Sequence, residues 1–156
     1  MTNHNDFGGP VTLVLLDPTS ADGETALGLL SPADDHVALI TMVRGRTSAA
    51  LRDFAHAEDI DVTSAAWIYL DQVVARTGVA RTAVARTELD GRALETMLVD
   101  GPDFSTELID IARLTPIRRV LVGSSLERLA PAACQRLRAA MPATVVVAAQ
   151  PSVAKY

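Results

Sequence analysis

The sequence predicts an α/β domain: a five-stranded parallel sheet flanked by helices. Three observations lead there. Four apolar runs, Val11–Leu16, Val37–Val43, Val120–Val122 and Thr144–Ala149, are short, rich in Val, Leu and Ile, and do not alternate cleanly with polar residues. Such runs suit strands buried on both faces. The stretches between them carry apolar residues at the three-to-four spacing of a helix. Strand and helix then alternate, the pattern of a parallel sheet with right-handed crossovers.

The elements follow in order. Val11–Leu16 is the first strand. Asp17-Pro18-Thr19-Ser20 turns the chain, and a short helix over Glu24–Leu30 stops before Ser31-Pro32, because proline disfavours the α conformation in the residue before it. After the second strand, Arg44-Gly45-Arg46-Thr47-Ser48 reads as loop and N-cap. Ala49–Glu58 is helical, with Leu51, Phe54 and Ala55 at helical spacing. Asp61-Val62-Thr63-Ser64 caps a second helix bearing Trp67, Ile68, Leu70, Val73 and Val74, with Gly78 as a natural stop. In residues 79–98, Thr82–Thr87 and Ala93–Val99 are both strand candidates. A hairpin about Asp90-Gly91 is one reading; Ala93–Val99 as the third parallel strand is preferred. Gly101-Pro102-Asp103 leads into a helix over Phe104–Leu114, Arg119–Gly123 is the fourth strand, and Leu126–Met141 is largely helical, interrupted by Pro131. Pro142 introduces the fifth strand.

The 156 residues suit one domain. Residues 10–150 form it, between tails over 1–9 and 151–156. Hydrophobic residues make up 49% of the chain and charged residues 21%, which supplies a core and argues against disorder. The formal net charge is -5, and the basic residues are spread thinly apart from Arg118–Arg119. A nucleic-acid partner is therefore not expected, and that pair reads as a solvated start of a strand. Cys134 is the single cysteine, so nothing points to an oxidising compartment. Residues 1–10 lack the apolar core of a signal peptide, and no apolar run reaches the ~18 residues of a membrane span. The expected location is the cytoplasm, with no membrane partner.

Chemistry-bearing motifs are sparse. His4, His36 and His56 lie far apart, with no Cys or His at ligand spacing, so no metal site is expected. Asp34-Asp35 and Glu58-Asp59-x-Asp61 read as solvated acidic loops. Gly123-Ser124-Ser125 lacks the flanking glycines of a Gly-x-Ser-x-Gly nucleophile elbow, and no catalytic residue is assigned. The Asp17 turn is either a set of polar caps or a ligand-contacting turn. Gly123-Ser124-Ser125 could hold an anion at a helix start, but Ser124-x-x-Glu127 fits a capping box that would occupy the same amides. Trp67 reads as a core anchor, with a partner surface marked by Trp67 and Tyr69 as the alternative, and Cys134 reads as a small buried hydrophobe.

The order and spacing over about residues 10–150 resemble the universal stress protein family. Val14-Leu15-Leu16-Asp17-Pro18-Thr19-Ser20 looks like its first strand and Asp-Gly-Ser turn. Leu121-Val122-Gly123-Ser124-Ser125 looks like its fourth strand and Gly-Ser turn. The Pro131–Met141 helix, Pro142 and the Thr144–Ala149 strand look like its closing segment. The resemblance implies an adenine-nucleotide α-hydrolase-like fold with strand order 3-2-1-4-5. It implies a ligand edge at Asp17, Thr19, Ser20, Met42, Val43, Gly123, Ser124 and Ser125, with Thr41 nearby. It also implies a homodimer through Thr144, Val145, Val146, Val147 and Ala148.

Nucleotide-binding members carry Gly, two residues, Gly, nine residues, then Gly with Ser or Thr. Here Gly123 matches the first position, but Leu126 and Arg136 fill the next two. Counting back from the last strand, Ala130-Pro131 stands where Gly-Ser would be. Glycines let backbone amides approach a phosphate, leucine blocks that approach, and proline has no amide hydrogen. Two lost charge-assisted hydrogen bonds, at about 1.5–3 kcal/mol each, weaken binding by roughly 10²–10⁴-fold. The expectation is a non-enzymatic stress-response or regulatory domain with no cofactor and an unidentified regulatory protein partner. The alternative is a switch that binds AMP, ATP or a cyclic nucleotide in an altered loop.

Overall fold

The computed structural model describes residues 10–20, 23–31, 33–45, 48–76, 87–89, 92–99, 104–141 and 144–147. The strands are β1 (Val11–Leu15), β2 (His36–Met42), β3 (Thr87–Leu89), β4 (Arg92–Val99), β5 (Ile117–Val122) and β6 (Val145–Val147). The helices are α1 (Ala49–Glu58), α2 (Val62–Arg76), α3 (Phe104–Leu114), α4 (Ser124–Leu129) and α5 (Pro131–Ala140). A 3-10 turn at Thr25–Leu29 replaces the short helix expected there.

Four long strands are parallel, in the order β4-β2-β1-β5. Numbered among themselves they run 3-2-1-4, as the sequence predicts. Both margins of the sheet correct the expected five-stranded parallel arrangement. At one, β3 pairs antiparallel with β4, Leu89 opposite Arg92. The hairpin reading and the parallel-strand reading of this region are thus both realised, while Asp90-Gly91 and 79–86 lie outside the described residues. At the other, the fifth strand expected over Thr144–Ala149 is not seen at that length. Three residues, Val145–Val147, pair with β5. Thr144 belongs instead to a turn, its amide donating to the Met141 carbonyl at 3.0 Å, and Ala148 lies outside the described residues.

Side-chain alternation along buried strands feeds two cores. Leu13, Leu15, Ile40, Met42, Val120 and Val122 face Phe104, Leu108, Leu126 and Leu137 from α3, α4 and α5. Val14, Leu16, Leu39 and Leu121 face Leu70, Val73 and Val74 of α2 and Ala26 of the 3-10 turn. Each fully buried Leu or Val contributes on the order of 1.5–3 kcal/mol, so these two apolar layers hold the sheet. Cys134 belongs to the first core. Burial, with the Glu127 carboxylate nearby, pushes its thiol up to about 12.

Two expectations fail here. Trp67 is not a core anchor; it is 41% exposed on α2. The Ser124–Glu127 capping box does not form. Gly123 is the N-cap of α4 without a side-chain cap, and both Glu127 carboxylate oxygens pair with Arg138 of α5. The expected interruption at Pro131 is seen: α4 ends at Leu129, Ala130 is non-helical, and Pro131 opens α5 at its first position, where no amide hydrogen is needed.

Asp34 and the Arg118–Arg119 pair are the third correction. Asp34 is completely buried just before β2. It accepts from Thr12 Oγ1 at 2.7 Å, the Ser31 amide at 2.8 Å, Arg118 Nε at 3.0 Å and Arg119 Nη2 at 2.7 Å. Arg119 also donates to the Leu29 carbonyl at 2.8 Å. One carboxylate thereby ties the amino ends of β1, β2 and β5. Burial opposes its charge, but Arg119, Thr12, Ser31 and Arg118 outweigh that and hold the carboxyl far below the usual range.

Candidate functional site

The chain leaves β1 toward β2 on one side and returns to β5 on the other, so the strand order reverses at β1. Open α/β sheets bind ligands in the crevice beyond the carboxyl ends of strands at such a point. The residues singled out from sequence lie along this edge. Asp17, Thr19 and Ser20 follow β1, Met42 ends β2 and Val43 follows it, and Gly123, Ser124 and Ser125 follow β5.

The turn after β1 is built around Asp17. The Leu16 amide still donates to the Ile40 carbonyl at 2.8 Å, extending the β1–β2 ladder by one residue. By strand alternation, position 17 continues the face of Leu13 and Leu15, the one covered by α4. The Thr19 amide donates to Asp17 Oδ1 at 2.9 Å, an Asx-type turn. The Asp17 amide donates to the Gly23 carbonyl, and the Gly23 amide to the Ser20 carbonyl, each at 3.0 Å. A Cβ on Gly23 would lie 1.6 Å from the Asp17 carbonyl oxygen, so only glycine lets the loop close this tightly.

These residues play different parts. Thr19 Oγ1 accepts from the Ala50 amide at 3.1 Å and caps the first turn of α1. Ser48, beside that turn, gives no side-chain cap and donates instead to the Gly45 carbonyl. Met42 is buried in the first core, and the Val43 amide donates to the Val99 carbonyl. Gly123 is the single residue between β5 and α4, and Leu126 is completely buried three positions on. No open loop follows β5.

Two polar atoms stand out. Asp17 Oδ2 and Ser125 Oγ are buried and have no hydrogen-bond partner among the described residues. One belongs to the turn after β1, the other to the first turn after β5, and those strands are neighbours, with Leu15 opposite Val122. Each such atom costs about 1–3 kcal/mol when left unpaired. Motif reading singled out both residues but not this property, which depends on burial.

Beside the turn, Pro18 borders an apolar groove between α1 and α2, lined also by Ala50, Leu51, Phe54, Ala65, Ile68, Tyr69 and Gln72. Sequence reading missed it. Phe54 and Ile68 both belong to the apolar stripes of their helices, and a stripe does not reveal its exposed margins.

Among the described residues no group of three or more His, Cys, Asp or Glu could hold a metal ion, and no helix is long and apolar enough to cross a membrane. No protein-family model, curated protein or solved structure matches the chain.

Proposed function

We propose that this chain is a non-enzymatic regulatory domain of the universal stress protein type that does not bind ATP tightly and pairs with a second copy through its last strand. One observation carries the first half. Gly123 passes straight into α4, Leu126 is spent in the core, and α5 opens on Pro131. A triphosphate needs several free amides on a pliable loop, and this connection offers little room for one. The dimer reading is supported by β6, a short strand at the end of the sheet with low charge, whose pairing would cover an exposed edge.

Calorimetry against ATP, ADP, AMP and cyclic AMP, with native mass spectrometry of the same sample, tests the proposal. The expected result is a dimer with no tight ATP. Nucleotide triphosphate carried through purification would refute the first half, and a monodisperse monomer at micromolar concentration the second.

Asp17 Oδ2 and Ser125 Oγ favour a second reading, a switch for a ligand with fewer phosphates. Their unused capacity lies where strand order reverses. Heat from AMP or cyclic AMP, abolished in Asp17→Asn, would select it.

A further inference from the structure

We propose that the groove between α1 and α2 docks a basic amphipathic segment of a partner protein, seating one large apolar side chain and setting cationic side chains over Glu58, Asp59 and Asp61. This stands apart from any ligand at the carboxyl edge and survives if that reading fails.

The groove has a rigid floor and open walls. Leu51 and Ala65 are buried beneath it, while Phe54 and Ile68 remain 38% and 39% exposed. Its volume is about 160 Å³, well below the roughly 300–1,000 Å³ of pockets that enclose whole small molecules. That size suits an anchoring side chain. Tyr69 is held in place, its hydroxyl donating to Glu24 Oε2 at 2.9 Å.

Charge selects the occupant. Glu58 lies one turn beyond Phe54 on α1, and Asp61, the residue before α2, stands one turn ahead of Ala65 and in line with Ile68. Glu58, Asp59 and Asp61 are all exposed. The left-handed backbone of Asp59, φ 58°, closes α1 and places all three carboxylates at the turn between the helices. Across residues 49–75 the carboxylates Asp53, Glu58, Asp59, Asp61 and Asp71 face one guanidinium, Arg52. Arg52 is directed at the other end of α1, donating to the Gly45 carbonyl at 2.9 Å and Ser48 Oγ at 2.8 Å. A second copy of this chain, at net charge -5, would bring like charge to the rim. A basic helix laid in the groove answers both the apolar walls and the acidic end.

The full chain, labelled for NMR, can be titrated with a synthetic amphipathic peptide carrying leucine on one face and lysine on the other, and with its glutamate isomer. The lysine peptide should shift Ile68 and Ala50, and binding should weaken as salt rises. Glu58→Lys/Asp59→Gly should lower that affinity roughly ten-fold, the effect of two rim charge pairs. It leaves the Asp61 cap intact and gives the left-handed position the residue that best adopts it. Phe54→Ala should weaken binding of the same peptide without loss of fold, and Glu95→Lys, on β4, should leave it unchanged. Equal binding of both peptides, no shift at Ile68 and Ala50, or indifference to the rim variant would overturn the proposal. So would shifts produced by raising protein concentration alone, which would mark a second copy as the occupant.

Discussion

The two ends of the sheet treat a buried carboxylate in opposite ways. At the amino end, Asp34 takes donors from Thr12, Ser31, Arg118 and Arg119, on both of its oxygens. At the carboxyl end, Asp17 is buried as deeply, but Oδ2 has no partner among the described residues, and neither has the nearby Ser125 hydroxyl. A saturated acid is an anchor. An unsaturated one is a standing cost that folding alone does not explain. In this chain the cost lies at the end where open α/β sheets bind ligands, so stability and recognition are separated along the strand direction.

Removing the anchor should give the largest effect. Asp34→Ala leaves two guanidinium groups and a buried hydroxyl without their acceptor, and should destabilise by about 3–5 kcal/mol in urea melts; a cost under about 1 kcal/mol would erase the contrast. The pH dependence follows from the same group. Its folded carboxyl titrates below the unfolded value of about 3.9. The stability it adds is therefore complete above that value and declines as pH falls toward the folded one. Asp34→Asn should flatten this acid limb. Next comes Gly23→Ala, where a methyl placed against the Asp17 carbonyl should cost about 1–3 kcal/mol. The smallest effect sharpens the comparison most. Ser125→Ala removes an unpaired buried hydroxyl and should raise stability by about 1 kcal/mol. A loss of stability instead would show that this end too is saturated, by a bound water or ligand.

Most of the framework was legible because buried parallel strands write themselves as apolar runs. Val11–Leu16 and Val37–Val43 each place β1 and β2 to within a residue, and Phe104–Leu114 is α3 as expected. The Asp61 cap was legible as well, its Oδ1 accepting from the Ser64 amide at 2.7 Å, because a cap is a local event. What escaped was settled by distant partners. Arg118–Arg119 and Asp34 are far apart in the chain, and nothing local separates a solvated arginine pair from one folded onto a buried acid. Glu127 had a local role on offer and was taken by Arg138. The carboxyl edge was found through residue types, whereas its distinctive feature, two polar atoms without partners, follows from how α4 closes over the strands.

The hydroxyl of Thr19 reaches out of the turn after β1 to the amide of Ala50, and Pro18 of that turn borders the helical groove. The crevice and the groove are thus linked through the Ala50 amide on the first turn of α1. Solvent exchange at that amide is a local gauge of the turn's posture. A molecule that drew Asp17 aside would be registered there as deprotection, well before any change spread through α1.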